Sequence, residues 1–189
     1  EHHPAGSHRI SLLTVDGSGC LVRHVPLAGH GDDRPQKNWL PFVDAASGEL
    51  RAVYGYEPLE VLRIDPETGR CAVAVSRPTG RNLEAFRGSA GPVQIPAELG
   101  GGRLLLVHHV AHHGRRVYLQ RFLRVDEEWN LREASRPFTF MKSEIEFPAG
   151  ACLSHSGDEL LVTFGVEDRE AWLCRVPLAT VLALLRPLP

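Results

Sequence analysis

A strand–turn–strand pattern occurs three times along the chain and constrains its fold more than any other feature. In the second copy, a short strand at residues 92–96 leads through a glycine turn into a long strand at residues 103–110. The long strands of the three copies begin at Leu50, Arg103 and Glu159, a spacing of roughly fifty residues. Units of this length with several short strands are typical of β-propeller blades.

The repeat predicts three four-stranded blades and part of another. The first blade covers residues 40–43, 50–56, 60–65 and 71–75; the second covers 92–96, 103–110, 116–125 and 134–140; the third covers 151–154, 159–165, 171–177 and a tail at 179–185. The Leu and Ala residues of the tail favour a short helix over a last strand. Residues 9–15 and 20–26 form a strand pair that looks like the outer half of a further blade.

The predicted fold class is all-β, because few segments show a helical period and β-branched and aromatic residues crowd the strands. Three blades and a part do not close a ring of roughly four to eight blades. We therefore expect residues 1–189 to form a single propeller domain that is incomplete at the N-terminus. An N-terminal chain segment or a second chain would complete the ring.

Composition excludes several partner classes. The net charge of −2 provides no field for nucleic acid or an anionic membrane, and no apolar run is long enough to span a bilayer. None of the four cysteines forms a CxxC pair, and Cys71, Cys152 and Cys174 fall inside predicted strands. We expect Cys152 and Cys174 to be reduced and buried, which favours a cytoplasmic protein.

Polar residues flank the predicted inner strands. In an antiparallel pair, the start of one strand and the end of the next lie on the same edge, so Arg87 is predicted to lie near His108. The same topology places Lys37, Asn38 and the pair Glu167 and Asp168 at corresponding ends of the other blades. The sequence therefore predicts one pocket near the propeller axis, lined by Asn38, Arg87, His108, Glu146 and Asp168.

Each aromatic or histidine candidate also has a structural interpretation. Trp39 is expected either to pack in the core or to stack on a sugar ring. Tyr54 and Tyr56 are predicted to lie on the same face of their strand, from which either side chain can reach the pocket. His108 and His109 point to opposite faces, and His108 is favoured as the one that faces the axis. The same alternation places the side chains of the nearby histidines, at positions 108, 109, 112 and 113, on different faces, so no metal site is predicted.

The charged candidates have alternatives as well. Lys37 and Asn38 suit a solvated strand end, and Arg87 suits a salt bridge to Glu144 or Glu146. Glu146 is then either that partner or a catalytic carboxylate. Asp168 either caps a turn or acts as an acid, with Glu167 as the alternative acid.

Several stretches together resemble the five-bladed β-propellers related to glycoside hydrolase family 130. They are KNWLPF, VYGYEPLEVLRIDPETG, FRGSAGPV, LLLVHHV, VYLQRFLRVD, SRPFTFMKSEIEFPAGACLS and LLVTFGVEDREAWL. That family holds mannoside phosphorylases and hydrolases, and its wider group includes the family 43 and family 32 glycosidases. The resemblance covers residues 9 to about 185 and identifies the chain as the C-terminal portion of such a propeller.

The resemblance implies roles for particular residues. Lys37 and Asn38 fall where the family carries a Lys-Asp pair whose Asp is the general acid. Here Asn38 cannot release a proton at neutral pH, although its amide can bind a hydroxyl. His108 falls at a phosphate-binding His of the family, and Asp168 falls at an Asp that holds sugar hydroxyls.

Two functions are consistent with these residues. The first is a carbohydrate-active enzyme, for glycoside hydrolysis, phosphorolysis or transfer, in which Lys37, Arg87 and His108 form a cationic rim and Tyr54 lines the pocket. Glu146 or Asp168 would then act as the acid or base. No cofactor is expected, and inorganic phosphate would be a co-substrate if the reaction is phosphorolysis. The second is a non-catalytic module that binds a glycan or a protein partner, which the Asn at position 38 favours.

Overall fold

The structure is a computed structural model that describes residues 8–33, 35–112, 116–142 and 144–188. Within these ranges the chain forms antiparallel β-sheets with one short α-helix and one 3₁₀ turn at Ala97–Leu99. The predicted all-β class is thereby confirmed. No helix in the described ranges is long and apolar enough to cross a membrane.

A hairpin and a four-stranded sheet form the first part of the chain. The hairpin pairs β1 (Ser11–Val15) with β2 (Leu21–Pro26). The first sheet has the order β3 (Leu40–Val43), β4 (Leu50–Tyr56), β5 (Leu59–Ile64) and β6 (Cys71–Arg77). Asp44 and Asp65 begin two of its turns and accept hydrogen bonds from residues two or three positions further on, which is how Asp stabilises a tight turn.

The second sheet contains the longest strands. Its order is β7 (Arg87–Gln94), β8 (Arg103–His112), β9 (Arg116–Val125), β10 (Leu131–Ala134) and the C-terminal β14 (Arg186–Pro187). The turn between β7 and β8 ends in Gly100, Gly101 and Gly102, all with positive φ. A Cβ at Gly102 would also collide with the carbonyl oxygen of Val125, so this turn requires glycine.

The third sheet and a short helix complete the fold. The sheet has the order β11 (Glu146–Leu153), β12 (Glu159–Val166) and β13 (Glu170–Pro177), and helix α1 (Leu178–Ala183) follows. The helix confirms the preference inferred for the tail. After it, the chain returns to the second sheet as β14, so its last described residues tie the second and third sheets together.

The second sheet is covered on both faces. Alternate residues of β8 face opposite neighbours: Leu105 packs in one cluster with Val53 of the first sheet, and Leu106 packs in another with Leu160 of the third. A strand buried on both faces needs an unbroken apolar run, which explains the sequence LLLV in β8. These two contacts fix the three sheets side by side.

The strand predictions differ from the structure mainly at the inner and outer strands. The inner strand Leu40–Val43 is confirmed, but the other two begin about five residues earlier than predicted, at Arg87 and Glu146. Gly and Pro residues at the start of each strand hide it from a propensity argument. The fourth strand of the second sheet is Leu131–Ala134, where 134–140 was predicted.

The cysteine prediction is partly wrong. All four cysteines are free, and Cys71 is buried. Cys152 is exposed, however, because it alternates along β11 with Ala151, which takes the face that packs on the second sheet. Cys174 is half-buried against the same cluster.

The packing of the second sheet predicts the effect of truncating its core. Leu105 is fully buried, so Leu105→Ala is expected to lower the free energy of unfolding by about 2–5 kcal/mol through lost burial and a residual cavity. Leu173 lies on the outer sheet face and is 58% exposed, so Leu173→Ala should change stability by about 0.5 kcal/mol or less. Urea unfolding of both variants measures this, and equal losses would contradict the packing described.

Candidate functional site

A cavity of about 820 Å³ opens between the first and second sheets, at the end where β3 and β7 begin. It contains two cations, Lys37 and Arg87, and the amide of Asn38. Three carboxylates also line it, namely Glu57, Glu60 and Glu84. Its aromatic residues are Trp39, Tyr54, Tyr56 and Phe86. Apolar walls with a few convergent polar groups are typical of sites that bind small molecules.

The backbone of Asn38 packs directly against the second sheet. It has a φ of 61°, a left-handed conformation that Asn adopts more readily than most residues. Its carbonyl oxygen packs against Gly88, where any Cβ would collide with it. The pairing of these two backbones places Asn38 beside Arg87, the residue that precedes Gly88.

A bulge in β4 directs two tyrosines to different clusters. Tyr54 packs with Ala52, whereas Tyr56 packs with Val53, although alternation predicts that Tyr54 and Tyr56 share a face. The register of β4 against β5 shifts between Val53 and Gly55, and this extra residue turns Tyr56 to the other side. The predicted common face is therefore wrong, but both tyrosines line the cavity.

Trp39 and Tyr54 form an aromatic wall of the cavity. Their ring centroids lie 5.4 Å apart in an edge-to-face arrangement, and His30 meets Tyr54 at 4.6 Å. The indole Nε1 of Trp39 donates to Oε1 of Gln36 at 3.2 Å, which fixes the ring. An orientated aromatic pair of this kind presents flat apolar surface with polar tips to a ligand.

Arg87 keeps part of its hydrogen-bonding capacity available. Nη1 donates to the carbonyl oxygens of Glu84 and Phe86, each at 2.7 Å. Within the described residues, Nη2 and Nε have no hydrogen bond, and Arg87 forms no ion pair with Glu146. The Arg87 guanidinium is thus fixed through Nη1, and its other N–H donors are available to bind an anion or sugar hydroxyls.

His108 pairs with Arg87 as predicted but lies outside the cavity lining. The two residues are direct partners in the register of β7 and β8. The His108 side chain is 4% exposed, and its Nδ1 lies 2.7 Å from Oγ of Ser89. Its ring stacks on Tyr118 of β9 at 4.9 Å and meets Phe147 of the third sheet edge-on at 5.6 Å. His109 on the opposite face contacts Phe86.

The electrostatic environment keeps His108 neutral. Burial, followed by the positive charges of Arg87, His109, Lys37 and Arg116, lowers the pKa of His108 from 6.5 to about 4. The cationic rim expected from Lys37, Arg87 and His108 therefore loses its histidine at neutral pH. Arg116 is a cation near the same end of the sheet, with its guanidinium 5.0 Å above the ring of Tyr118.

Glu146 is fully buried, and both of its carboxylate oxygens are engaged. Oε2 accepts a hydrogen bond from the backbone N–H of Phe140 at 2.6 Å, and Oε1 accepts from Met141 and Lys142 at 2.8 and 2.7 Å. The side chain of Gln120 donates to its carbonyl oxygen at 2.7 Å. Glu146 thus anchors the loop at residues 140–142, and it does not line the cavity.

Asp168 occupies an exposed turn at the same end of the third sheet. Glu167 and Asp168 have φ values of 53° and 54°, as in the type I′ turn of a hairpin. Oε1 of Glu167 accepts from the backbone N–H of Ile145 at 2.9 Å, which ties this turn to the start of β11. Asp168 lies outside the cavity lining, and the catalytic roles given to Glu146 and Asp168 stay predictions.

The structure therefore brings four predicted site residues together and leaves three outside. The four that line the cavity are Lys37, Asn38, Tyr54 and Arg87, and the three outside are His108, Glu146 and Asp168. Six of the seven were predicted from strand ends and Tyr54 from alternation along its strand, and neither argument fixes how far a side chain reaches.

Glu57 is a cavity residue that the sequence analysis missed. Its Oε2 accepts hydrogen bonds from the Thr79 hydroxyl and from the backbone N–H of Arg81, the latter at 3.3 Å. These bonds, the one from Thr79 first, lower the pKa of Glu57. The available signal was its position directly after β4, which is the strand end that topology brings to the site.

Among the residues that the structure describes, no cluster of three or more His, Cys, Asp or Glu side chains is arranged to hold a metal ion. The His30 ring instead lies beside a single carboxylate, with Nε2 at 3.4 Å from Oε2 of Glu60.

Comparison with known proteins identifies a structural relative but no sequence family. Neither a protein-family model nor a curated protein sequence matches the chain. The structure is similar to that of the β-1,2-mannobiose phosphorylase of Listeria innocua in complex with β-1,2-mannobiose, with a TM-score of 0.60 and 17% sequence identity. The chain therefore shares its fold with part of that phosphorylase. The match covers 92% of this chain but 52% of the phosphorylase, so the chain spans about half of that protein's length.

The buried His108 predicts a specific pH dependence of stability. Because its pKa falls from 6.5 unfolded to about 4 folded, the unfolded state binds more protons, and stability is lost as pH falls from about 6.5 to 4. The loss due to this residue is about 3 kcal/mol. Urea unfolding across this pH range should show a smaller loss for His108→Gln than for the wild type. Parallel curves for the two proteins would contradict a neutral buried imidazole.

Proposed function

We propose that the chain is the C-terminal part of a five-bladed β-propeller that binds a sugar or sugar phosphate in its cavity. The three sheets and the β1–β2 hairpin correspond to three blades and the outer half of a fourth. Contacts of the central inner strand β7 with both β3 and β11 support this arrangement, because inner strands lie side by side around a propeller axis. A further chain segment or a second chain completes the ring.

The cavity is the observation that carries this proposal. It combines the open donors of Arg87 and the ammonium of Lys37 with an aromatic wall at Trp39 and Tyr54. The cations suit a phosphate group, and the aromatic wall suits the apolar face of a sugar ring. The fold shared with a mannobiose phosphorylase supports a carbohydrate as the ligand class, with inorganic phosphate as the second ligand.

Asn38 favours binding over catalysis. The resemblance assigns the general acid of the family to this position, and an amide has no proton to give at neutral pH. The cavity nevertheless holds the carboxylates Glu57, Glu60 and Glu84, so a glycoside phosphorylase remains the second candidate function. A single substitution distinguishes the two.

Calorimetry tests the binding proposal. Arg87→Ala should weaken binding of mannose 1-phosphate by about 1.5–3 kcal/mol, the value of a charge-assisted hydrogen bond. The matched control is Arg63→Ala, since Arg63 lies on the first sheet outside the cavity lining, with 60% of its side chain exposed. A panel of sugars, sugar phosphates and inorganic phosphate that gives no heat with the wild type would overturn the proposal.

Turnover of Asn38→Asp tests the second candidate. Asp adopts the left-handed backbone of residue 38 about as readily as Asn, so the substitution introduces an acid without backbone strain. We expect no release of mannose 1-phosphate from β-1,2-mannobiose and phosphate by the wild type. Activity of Asn38→Asp, measured by that release, would identify a lost enzyme, and inactivity despite retained binding would identify a binding module.

A further inference from the structure

Glu57 combines a fixed position with an available oxygen. It directly follows β4, just beyond the bulge that turns Tyr56, and it lines the cavity. The Thr79 hydroxyl and the Arg81 backbone N–H both donate to its Oε2, across more than twenty residues of sequence. The carboxylate is therefore held by the loop that leads from β6 into β7.

The second oxygen of this carboxylate is available to a ligand. Oε1 makes no hydrogen bond within the described part of the chain. It is also absent from the five buried side-chain polar atoms there that lack a partner. An oxygen that has no hydrogen bond and keeps some contact with solvent, on a half-buried side chain that lines a cavity, is accessible to a ligand.

The other carboxylates near this end of the sheets differ from Glu57. Glu60 lies against the imidazole of His30, Glu84 is exposed at the edge of the cavity, and both oxygens of Glu146 are engaged by backbone N–H groups. Glu57 alone among these four has one oxygen held by hydrogen bonds and the other without one. Its hydrogen bonds favour the ionised form, in which a carboxylate only accepts hydrogen bonds.

We propose that Glu57 is a specificity-determining residue of the cavity, whose Oε1 accepts hydrogen bonds from hydroxyl groups of a neutral sugar. The inference rests on the proposed sugar-binding function and assigns different ligand groups to different residues of the cavity. Arg87 and Lys37 recognise acceptor oxygens such as those of phosphate, whereas Glu57 recognises donor hydroxyls and repels anions. Anchoring by Thr79 lowers the entropy that is lost when the ligand binds.

Calorimetry with two separate probes, β-1,2-mannobiose and inorganic phosphate, tests this assignment. Glu57→Gln should lower the association constant for β-1,2-mannobiose by about 10- to 100-fold, the effect of weakening a charge-assisted bond. Binding of inorganic phosphate should stay equal or become tighter. The matched control is Glu98→Gln, because Glu98 lies on the exposed 3₁₀ turn outside the cavity lining.

A second variant, Thr79→Val, tests the same assignment if Glu57→Gln does not fold, because it alters only the group that positions the carboxylate. Thr79→Val preserves the shape of residue 79 and the carboxylate itself but removes the hydroxyl that holds it. It should weaken β-1,2-mannobiose binding by about 3- to 10-fold without affecting phosphate.

The outcomes separate this inference from the function on which it rests. Sugar binding by the wild type that neither variant weakens would overturn the role of Glu57 and leave the proposed function standing. Equal weakening of sugar and phosphate by Glu57→Gln would also overturn it, since that pattern reports general damage to the site. If the wild type binds neither probe nor any sugar of the panel, the proposed function fails and this inference fails with it.

Discussion

Burial of the second sheet on both faces is the constraint on which the rest of the structure depends. Residues Leu104 to Val107 of β8 are four consecutive positions with 2% exposure or less. Such a strand is stable only between two other layers, so the first and third sheets must pack against it. Their packing fixes the register of the strand ends, and the strand ends carry the polar residues. The geometry of the cavity is thus a consequence of an apolar run in the strand beside it.

Buried or anchored carboxylates then hold the loops at that end of the sheets. Glu146 binds three backbone N–H groups of the loop at residues 140–142, Glu167 binds Ile145, and Glu57 binds the loop at residues 79–81. Each carboxylate satisfies backbone donors that the strands leave unpaired. Of these three anchoring carboxylates, Glu57 lines the cavity, so its hydrogen bonds to Thr79 and Arg81 fix one part of the cavity wall before any ligand binds.

The sequence predicted the parts of this arrangement that depend on alternation and turns. The pairing of Arg87 with His108 follows from antiparallel topology, and strands such as β9 follow from their apolar pattern. The bulge in β4 is different, because the one extra residue between Val53 and Gly55 has no signal in a pattern of period two. It moved Tyr56 to the other face.

Roles that depend on hydrogen bonds between distant segments were also beyond the sequence. A glutamate at a strand start looks the same whether it is an acid or an anchor, and only the three N–H donors around Glu146 distinguish the two. Glu57 and Thr79 meet for the same reason, through a contact that no local pattern encodes. Sequence reasoning therefore located the end of the sheets that carries the site but not which polar groups are already satisfied.

The cations around position 38 give a physical reason why an amide there suits binding. A carboxyl group placed beside Lys37 and Arg87 would be held ionised by them, because nearby positive charge favours the charged form. It would become a proton donor only once a bound anion neutralised those cations, so acid chemistry at this position depends on phosphate already being in place. Asn38 removes that dependence. It adds no negative charge to compete for the two cations, and it can both donate to and accept from a sugar hydroxyl. The charge pattern around position 38 thus suits the anionic or hydroxylated ligand proposed for the cavity, and Asn38 itself supplies no proton for acid chemistry.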